Sequence, residues 1–200
     1  ELLIDDLREI IEAWAPGGAA RKAVTSKGQD GLSVILAGMG SLSYGELAGE
    51  RMQLGLLLHD PEEEHDCFSD NTHNSHYYDA KGIRNVYLGR YNRVDGRVVA
   101  GPSLATFVKA SSPRIHADMV RHLDATMDAM TAIVRSADDG EAYDQLIGEG
   151  NVAGNAKVQA AIDALTAQTR VIEKVGTTLG LSKIAFEGSD SLDNPKAVFK

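Results

Sequence analysis

Residues Gly31 to His73, GLSVILAGMGSLSYGELAGERMQLGLLLHDPEEEHDCFSDNTH, decide the fold and contain most of the unusual chemistry of the chain. The spacing of the first part predicts a long helix, roughly from Asp30 to Leu58. At about 3.6 residues per turn, one side of this helix is apolar at first and then carries Glu46 and Glu50. Two carboxylates therefore replace apolar residues in the stripe that should face the core.

Three glycines, Gly38, Gly45 and Gly49, share a second face of the same predicted helix. Glycine inside a helix costs up to about 1 kcal/mol relative to alanine. Three of them on one face indicate that another backbone comes close there.

Two interpretations of Glu46 and Glu50 remain open at this point. In the first, the helix is rotated or shorter than predicted and both side chains are in water, as acidic residues generally are. In the second they belong to a functional site, because carboxylates brought together hold a proton, pair with a cation or bind a metal. The polar residues that follow favour the second interpretation: Arg51, His59, Glu62, Glu63, Glu64, His65, Asp66, Cys67, Ser69, Asp70 and His73.

Three runs of sequence resemble a known family. They are GMGSLSYGELAGERM at Gly38 to Met52, EEHDCFSDNTH at Glu63 to His73, and GIRNVYLGRY at Gly82 to Tyr91. Together they resemble the C-terminal half of the imelysin-like family of iron-regulated proteins and insulin-cleaving metallopeptidases. The resemblance implies an exported bacterial protein of two helical bundles with a site between them, linked to iron acquisition and classed as a metallopeptidase.

The best-known family signature, a helical Gly-x-His-x-x-Glu, is missing from this chain. Its one His-x-x-Glu, from His59 to Glu62, contains Pro61, which should interrupt a helix. Asp60 is better interpreted as an N-cap, with Pro61 at the first helical position and Glu63 closing a capping box. Two explanations stay open: the chain is half of a longer protein whose N-terminal half packs against it, or it belongs to a shortened branch without activity.

Composition excludes some classes of function. The net charge of −9 and the sequence pI near 5.1 argue against nucleic acid or an anionic membrane as partner, since both require a basic surface. The single Cys67 excludes an internal disulfide. The sequence has no apolar run that would span a bilayer and no signal peptide. A periplasmic or outer-membrane location is therefore implied by the resemblance alone.

Helical spacing recurs along the rest of the chain. Further helices are predicted over Glu1 to Trp14, part of Ser75 to Arg90, Pro113 to Val134, and Asn155 to Leu179. Gly89 to Pro102 is predicted to be a loop in which RVVAG could form a short strand. We therefore expect an all-α antiparallel helical bundle, half of a two-bundle imelysin-like fold. A domain over residues 1–180 is followed by a partly ordered tail over 181–200.

These patterns lead to a hypothesis for the site. Glu46 and Glu50 would face the segment that folds back beside the central helix, while Arg51 would pair with one of them or point toward Asp70. Candidate catalytic residues are Glu46, Glu50, Arg51, Ser69 and Asp70, and candidate metal ligands are Glu50, Glu64, His65 and His73. Carboxylate and imidazole ligands suit iron or zinc. Alternatively, these groups form a buried polar network that fixes two helices together.

Two functional classes follow. The first is an exported iron-uptake protein that binds a metal ion or a metal carrier. The second is a metallopeptidase, in which one glutamate acts as general base toward a peptide substrate. The sequence has no His-Glu-x-x-His or other recognised zinc-protease motif, and this favours the first class.

Overall fold

The fold is built almost wholly from helices. A computed structural model describes residues 1–182 and 184–199 of the chain. The α-helices are α1 Leu2–Trp14, α2 Ala19–Thr25, α3 Gln29–Ser41, α4 Leu54–Leu58, α5 Thr72–Leu88, α6 Leu104–Ser111, α7 Pro113–Asp138, α8 Tyr143–Ile147, α9 Val152–Thr178 and α10 Asp190–Asp193. A π-helical segment, Leu42–Gln53, joins α3 to α4, and the three together form one continuous rod, which we call the central rod. Two 3-10 helices lie at Pro61–Glu63 and Pro195–Phe199.

The central rod, α5, α7 and α9 form an antiparallel bundle around two clusters of buried side chains. One cluster joins the second half of the central rod, the start of α5, the end of α7 and the start of α9; it includes Leu47, Met52, Ala80, Met130, Ile133, Val158 and Leu165. The other joins the opposite ends of the same elements and includes Leu36, Met39, Ile83, Tyr87, Met119, Leu123, Ile172 and Val175. Successive elements therefore run in alternating directions.

Local sequence explains where the two longest helices begin. Pro113 takes the first turn of α7, and the Ser112 hydroxyl accepts a hydrogen bond from the Ile115 N–H at 3.4 Å. Asn151 caps α9 by accepting from the Gly154 N–H at 2.9 Å. Both helices occupy the regions where apolar spacing predicted them, so the predicted all-α bundle is confirmed.

A short hairpin is the only β-structure among the described residues. β1 (Arg90–Asn92) pairs antiparallel with β2 (Val98–Ala100), and Tyr91 lies opposite Val99. This is the segment predicted to be a loop, with a strand at RVVAG as the alternative. All six strand residues are exposed, so the hairpin contributes little to the core.

The glycine face of the central rod receives the C-terminal segment. A Cβ atom at Gly45 would lie 2.6 Å from the Glu187 carbonyl oxygen, and one at Gly49 would collide with Ser189. The predicted close approach of a second backbone is confirmed at Gly45, whereas at Gly49 the nearest atoms of the C-terminal segment belong to the Ser189 side chain. The prediction is wrong at Gly38, where a side chain would meet open space.

Hydrogen bonds hold this C-terminal segment in place. The Ser191 hydroxyl donates to the Gly49 carbonyl at 2.9 Å, and the Tyr44 hydroxyl donates to Asp193 at 2.7 Å. Ser191 is buried as a result. Lys183 and Lys200 of the expected tail lie outside the described residues, and the division at residue 180 stays a prediction.

The first helix differs from the rest of the bundle. α1 has the predicted amphipathic spacing, yet none of its residues is buried, and its principal neighbour is the short helix α2. Within the part of the chain that the structure describes, no helix is both long and apolar enough to cross a membrane.

Candidate functional site

The turn after the central rod delivers the acidic segment to the bundle. His59 ends α4 in the left-handed conformation, with φ of 53°, and its Nδ1 lies 2.7 Å from the Ile147 carbonyl oxygen. Asp60 accepts a hydrogen bond from the Glu62 N–H at 2.9 Å, and Pro61 opens the 3-10 helix. The N-cap assignment of Asp60 is thereby confirmed. The His59 to Glu62 motif thus lies across the end of α4 and the start of the 3-10 helix, so its histidine and glutamate are not on one helix.

Three carboxylates converge immediately beyond this turn. Glu64, Asp70 and Asp144 each offer an oxygen, and these oxygens lie within 4.8 Å of one another. We call this set the carboxylate triad. Glu64 is buried, Asp144 is partly buried and Asp70 is exposed, so the group opens toward solvent at one side. None of the three forms a salt bridge with another described residue.

Glu64 is the innermost member of the triad. Burial raises the pKa of its carboxyl above the usual range, and the negative charges of Asp144 and Asp70 raise it further. The nearby Thr72 hydroxyl and the Asp144 backbone act on this pKa in the opposite direction. Its Oε2 atom is buried without a hydrogen-bond partner among the described residues. A buried carboxylate oxygen in such a position favours a proton or a cation.

Asp70, the exposed member of the triad, lies just before the start of α5. Asp70 has a φ of 53°, a left-handed conformation that aspartate tolerates better than most residues. Two residues later the buried Thr72 opens α5, and its hydroxyl also accepts a hydrogen bond from the Asp66 N–H at 3.0 Å. This single side chain therefore ties the acidic segment to the helix that follows it.

Glu46 and Arg51 belong to a different group of charges. The Arg51 guanidinium lies 2.7 Å from Glu46 and 3.1 Å from Asp79 on α5, and we call these three residues the arginine network. Burial raises the pKa of the Asp79 carboxyl, while the positive charge of Arg51 opposes that rise. Arg51 thus pairs with a glutamate, as one alternative predicted, and its second partner is Asp79 rather than Asp70.

Glu50 faces the C-terminal segment. The Ser189 hydroxyl donates a hydrogen bond to its carboxylate at 2.5 Å, and Ser189 also lies 2.8 Å from the Ser191 hydroxyl. Glu50 therefore takes part in holding the last helix against the central rod.

A buried histidine lies near both charge groups. His76 on α5 is fully buried, and its ring packs edge to face against Tyr143 at 4.9 Å between centroids. Neither ring nitrogen has a hydrogen-bond partner among the described residues, and neither does the Tyr143 hydroxyl. Burial lowers the pKa of His76 to about 3, and the nearby Arg51 charge lowers it as well. Burial also raises the pKa of Tyr143 far above its usual value.

The structure therefore separates the residues that the sequence placed in one site. Glu46 and Glu50 are both exposed, so the prediction that they replace apolar residues in the core-facing stripe is wrong. Glu64 and Asp70 come together, while Glu46 with Arg51 and Glu50 with Ser189 form two other groups. His65 and Ser69 are exposed, and His73 is partly buried with its Nε2 3.1 Å from Asn74. The catalytic and metal-binding roles assigned to these residues stay predictions.

Sequence reasoning did not single out four residues at these groups. They are Thr72, His76, Asp79 and Asp144. In the sequence, Thr72 is one of several capping-type residues in the run from Ser69, and nothing local distinguishes His76 from His73. Asp144 lies in an acidic segment between helices, and no local pattern distinguishes it from Glu141 or Glu149.

A family comparison agrees with this helical architecture. The model of the Imelysin family matches residues 1–172. The chain belongs to the imelysin family. No curated protein gives a significant match to this imelysin chain. The central rod, the carboxylate triad, the arginine network and most of α9 lie within the matched residues.

Proposed function

We propose that this imelysin protein binds a metal ion at the carboxylate triad and serves in iron acquisition. The observation that carries the proposal is the convergence of Glu64, Asp70 and Asp144 within 4.8 Å, with one Glu64 oxygen buried and unpartnered. Three carboxylates at this spacing repel one another when ionised, and a cation among them removes the repulsion.

The donor set bears on which ion fits. All three donors are carboxylate oxygens, and neither His65 nor His73 joins them. Zinc sites in proteins are built mainly from imidazole and thiolate ligands, whereas oxygen-only sites suit harder cations. The triad therefore suits a harder cation better than zinc, and iron is the candidate ion because the proposed role is iron acquisition. Glu64 and Asp144 would hold the ion from the bundle side, and Asp70 would close the exposed side.

The cellular location is part of the same proposal. We place the protein outside the cytoplasm, in the periplasm or at the outer membrane, where an iron-uptake protein would meet its metal ion or metal carrier. Membership of the imelysin family supports this location. Fractionation of cells that produce the full-length protein tests it, and recovery in the cytoplasm alone would contradict it.

A metallopeptidase is the second candidate function, because the matching family model carries a peptidase name. In this alternative, a glutamate of the chain would act as general base, with a peptide as substrate. The test is digestion of casein by the purified protein. Cleavage that is lost on chelation and in Glu64→Gln would favour this second function over simple metal binding.

Calorimetric titration of the metal-stripped protein tests the main proposal. We expect one equivalent of ferrous iron, added without oxygen, to bind, and Glu64→Gln to abolish the heat signal. Glu46→Gln is the matched control, since it removes a carboxylate from the arginine network and should leave binding unchanged. Glu50→Ala tests the sequence-based ligand assignment. Binding that survives Glu64→Gln but not Glu50→Ala would place the metal elsewhere.

A further inference from the structure

The apolar side of α1 is uncovered along its whole length. Seven large apolar side chains of this helix are between 50% and 76% exposed: Leu2, Leu3, Ile4, Leu7, Ile10, Ile11 and Trp14. Contiguous apolar surface of this kind generally marks an interaction site. A helix of 13 residues with so few tertiary contacts is also near the lower limit of about 12–15 residues for stability in water.

The spacing of the exposed residues matches one mode of recognition. Leu3, Leu7, Ile10 and Trp14 recur at steps of three and four residues and form a single stripe. A stripe of this kind is typical of an amphipathic helix that lies in a hydrophobic groove. Trp14 at its end is the type of residue that most often anchors such an interface.

The charges beside the apolar stripe limit which kind of partner can cover it. The flanks of the stripe carry Glu1, Asp5, Asp6, Glu9 and Glu12 against a single Arg8, which already pairs with Asp5 at 2.9 Å. A second copy of α1 would bring like charges together. Helices that lie on anionic membranes carry lysine and arginine on their polar face, which α1 does not. Charge complementarity therefore favours a basic protein surface.

We propose that α1 docks into an apolar groove, rimmed by lysine and arginine, on a separate protein. The aliphatic stripe supplies the buried contact, and the acidic flanks select the groove by its charge. This surface is distinct from the carboxylate triad, and the proposal does not depend on the proposed metal function.

Trp14 is the only tryptophan of the chain, so its fluorescence reports on α1 directly. The probes are two tryptophan-free designed helical hairpins with the same leucine-lined groove, one rimmed by lysine and the other by glutamate. We expect the lysine-rimmed protein to shift the Trp14 emission to shorter wavelength in a saturable titration. The glutamate-rimmed protein should bind at least tenfold more weakly, and added salt should reduce the difference.

Variants test whether the Trp14 emission shift comes from binding at the apolar stripe of α1. Leu7→Gln should weaken binding of the lysine-rimmed protein at least tenfold, and Leu7→Met should restore it. Phe107→Gln removes an equally exposed apolar residue from α6 and should change nothing. Circular dichroism confirms that each variant keeps its helix content. Equal binding of both hairpins, no binding, concentration-dependent dimerisation in sedimentation, or a Trp14 shift with phosphatidylcholine vesicles alone would each overturn the proposal.

Discussion

The arginine network and the carboxylate triad use similar residues to opposite effect. In the network, the guanidinium of Arg51 lies between the carboxylates of Glu46 and Asp79, so the positive charge is supplied by the chain itself. In the triad, Glu64, Asp70 and Asp144 converge without a salt bridge to any described residue. A paired group of charges stabilises the contact between two helices, whereas an unpaired group stores repulsion that an external cation can relieve.

The largest expected effect is on metal binding by the triad. Asp144→Asn keeps the size of the side chain but removes the charge of a proposed ligand. We expect iron affinity to fall by about 100-fold, because loss of a direct ligand should matter at least as much as loss of a residue that only supports one. The same change should raise the unfolding temperature of the metal-free protein, because it removes a like charge beside Glu64. Calorimetry and thermal unfolding measure the two effects.

Asp79→Asn is the matched control for this comparison. It changes an aspartate of the arginine network, and iron affinity should stay within about twofold of the unmodified protein, since the residue is not a ligand. Equal loss of affinity in both variants would show that the two groups act as one site.

Removing the positive charge of Arg51 should destabilise the arginine network. Arg51→Met leaves Glu46 and the partly buried Asp79 as unpaired neighbours, so we expect a loss of about 2–3 kcal/mol in the free energy of unfolding. Arg84→Met breaks the more exposed pair with Asp124 and should cost about 1 kcal/mol or less. Urea denaturation at neutral pH measures both, and similar losses would show that the network is an ordinary surface pair.

Acid should act on the protein through His76, which lies near both groups. Because the pKa of His76 falls from 6.5 to about 3 on folding, the unfolded chain takes up a proton that the folded chain refuses. The contribution of His76 to the free energy of unfolding is therefore fully present above pH 6.5, and it is lost progressively as the pH falls from 6.5 toward 3. Between pH 7 and pH 5 this contribution amounts to about 2 kcal/mol.

The variant His76→Phe isolates this contribution. It should lose less stability than the unmodified protein between pH 7 and pH 5, whatever its absolute stability at pH 7. Urea denaturation at the two pH values gives the comparison, and an unchanged slope in His76→Phe would contradict the assignment.

The smallest effect concerns the Tyr143 hydroxyl, which is buried beside the triad. Because the hydroxyl has no hydrogen-bond partner among the described residues, Tyr143→Phe should raise the free energy of unfolding of the metal-free protein by about 1 kcal/mol. A loss of stability would contradict this expectation. Urea denaturation of the metal-free protein measures the change.

Part of the site could not be predicted from the sequence, because it depends on contacts between residues that are far apart along the chain. Glu64 and Asp70 were singled out from the sequence, because acidic and histidine residues are concentrated around them. Asp144 lies 80 residues after Glu64 and reaches it only because α8 packs beside the turn that follows the central rod. No local pattern signals a contact of this kind.

The central rod also shows which features the sequence predicted and which it did not. Its sequence correctly predicted a continuous helical element and a close approach to Gly45 and Gly49. It did not predict the π-helical geometry of Leu42–Gln53. Because a π-helix has a different residue period from an α-helix, faces assigned with 3.6 residues per turn lose their register along this segment. Glu46 and Glu50 accordingly face Arg51 and Ser189 instead of the folded-back acidic segment.

The sequence alone determined the all-α bundle, the position of its long helices, the Asp60 cap and the amphipathic character of α1. These follow from apolar spacing and capping chemistry, which act over a few residues. Only the tertiary structure decided that Asp144 completes the triad, that Asp79 shares Arg51, and that the apolar side of α1 stays uncovered. Such features depend on which elements pack together, and the packing depends on the whole chain at once.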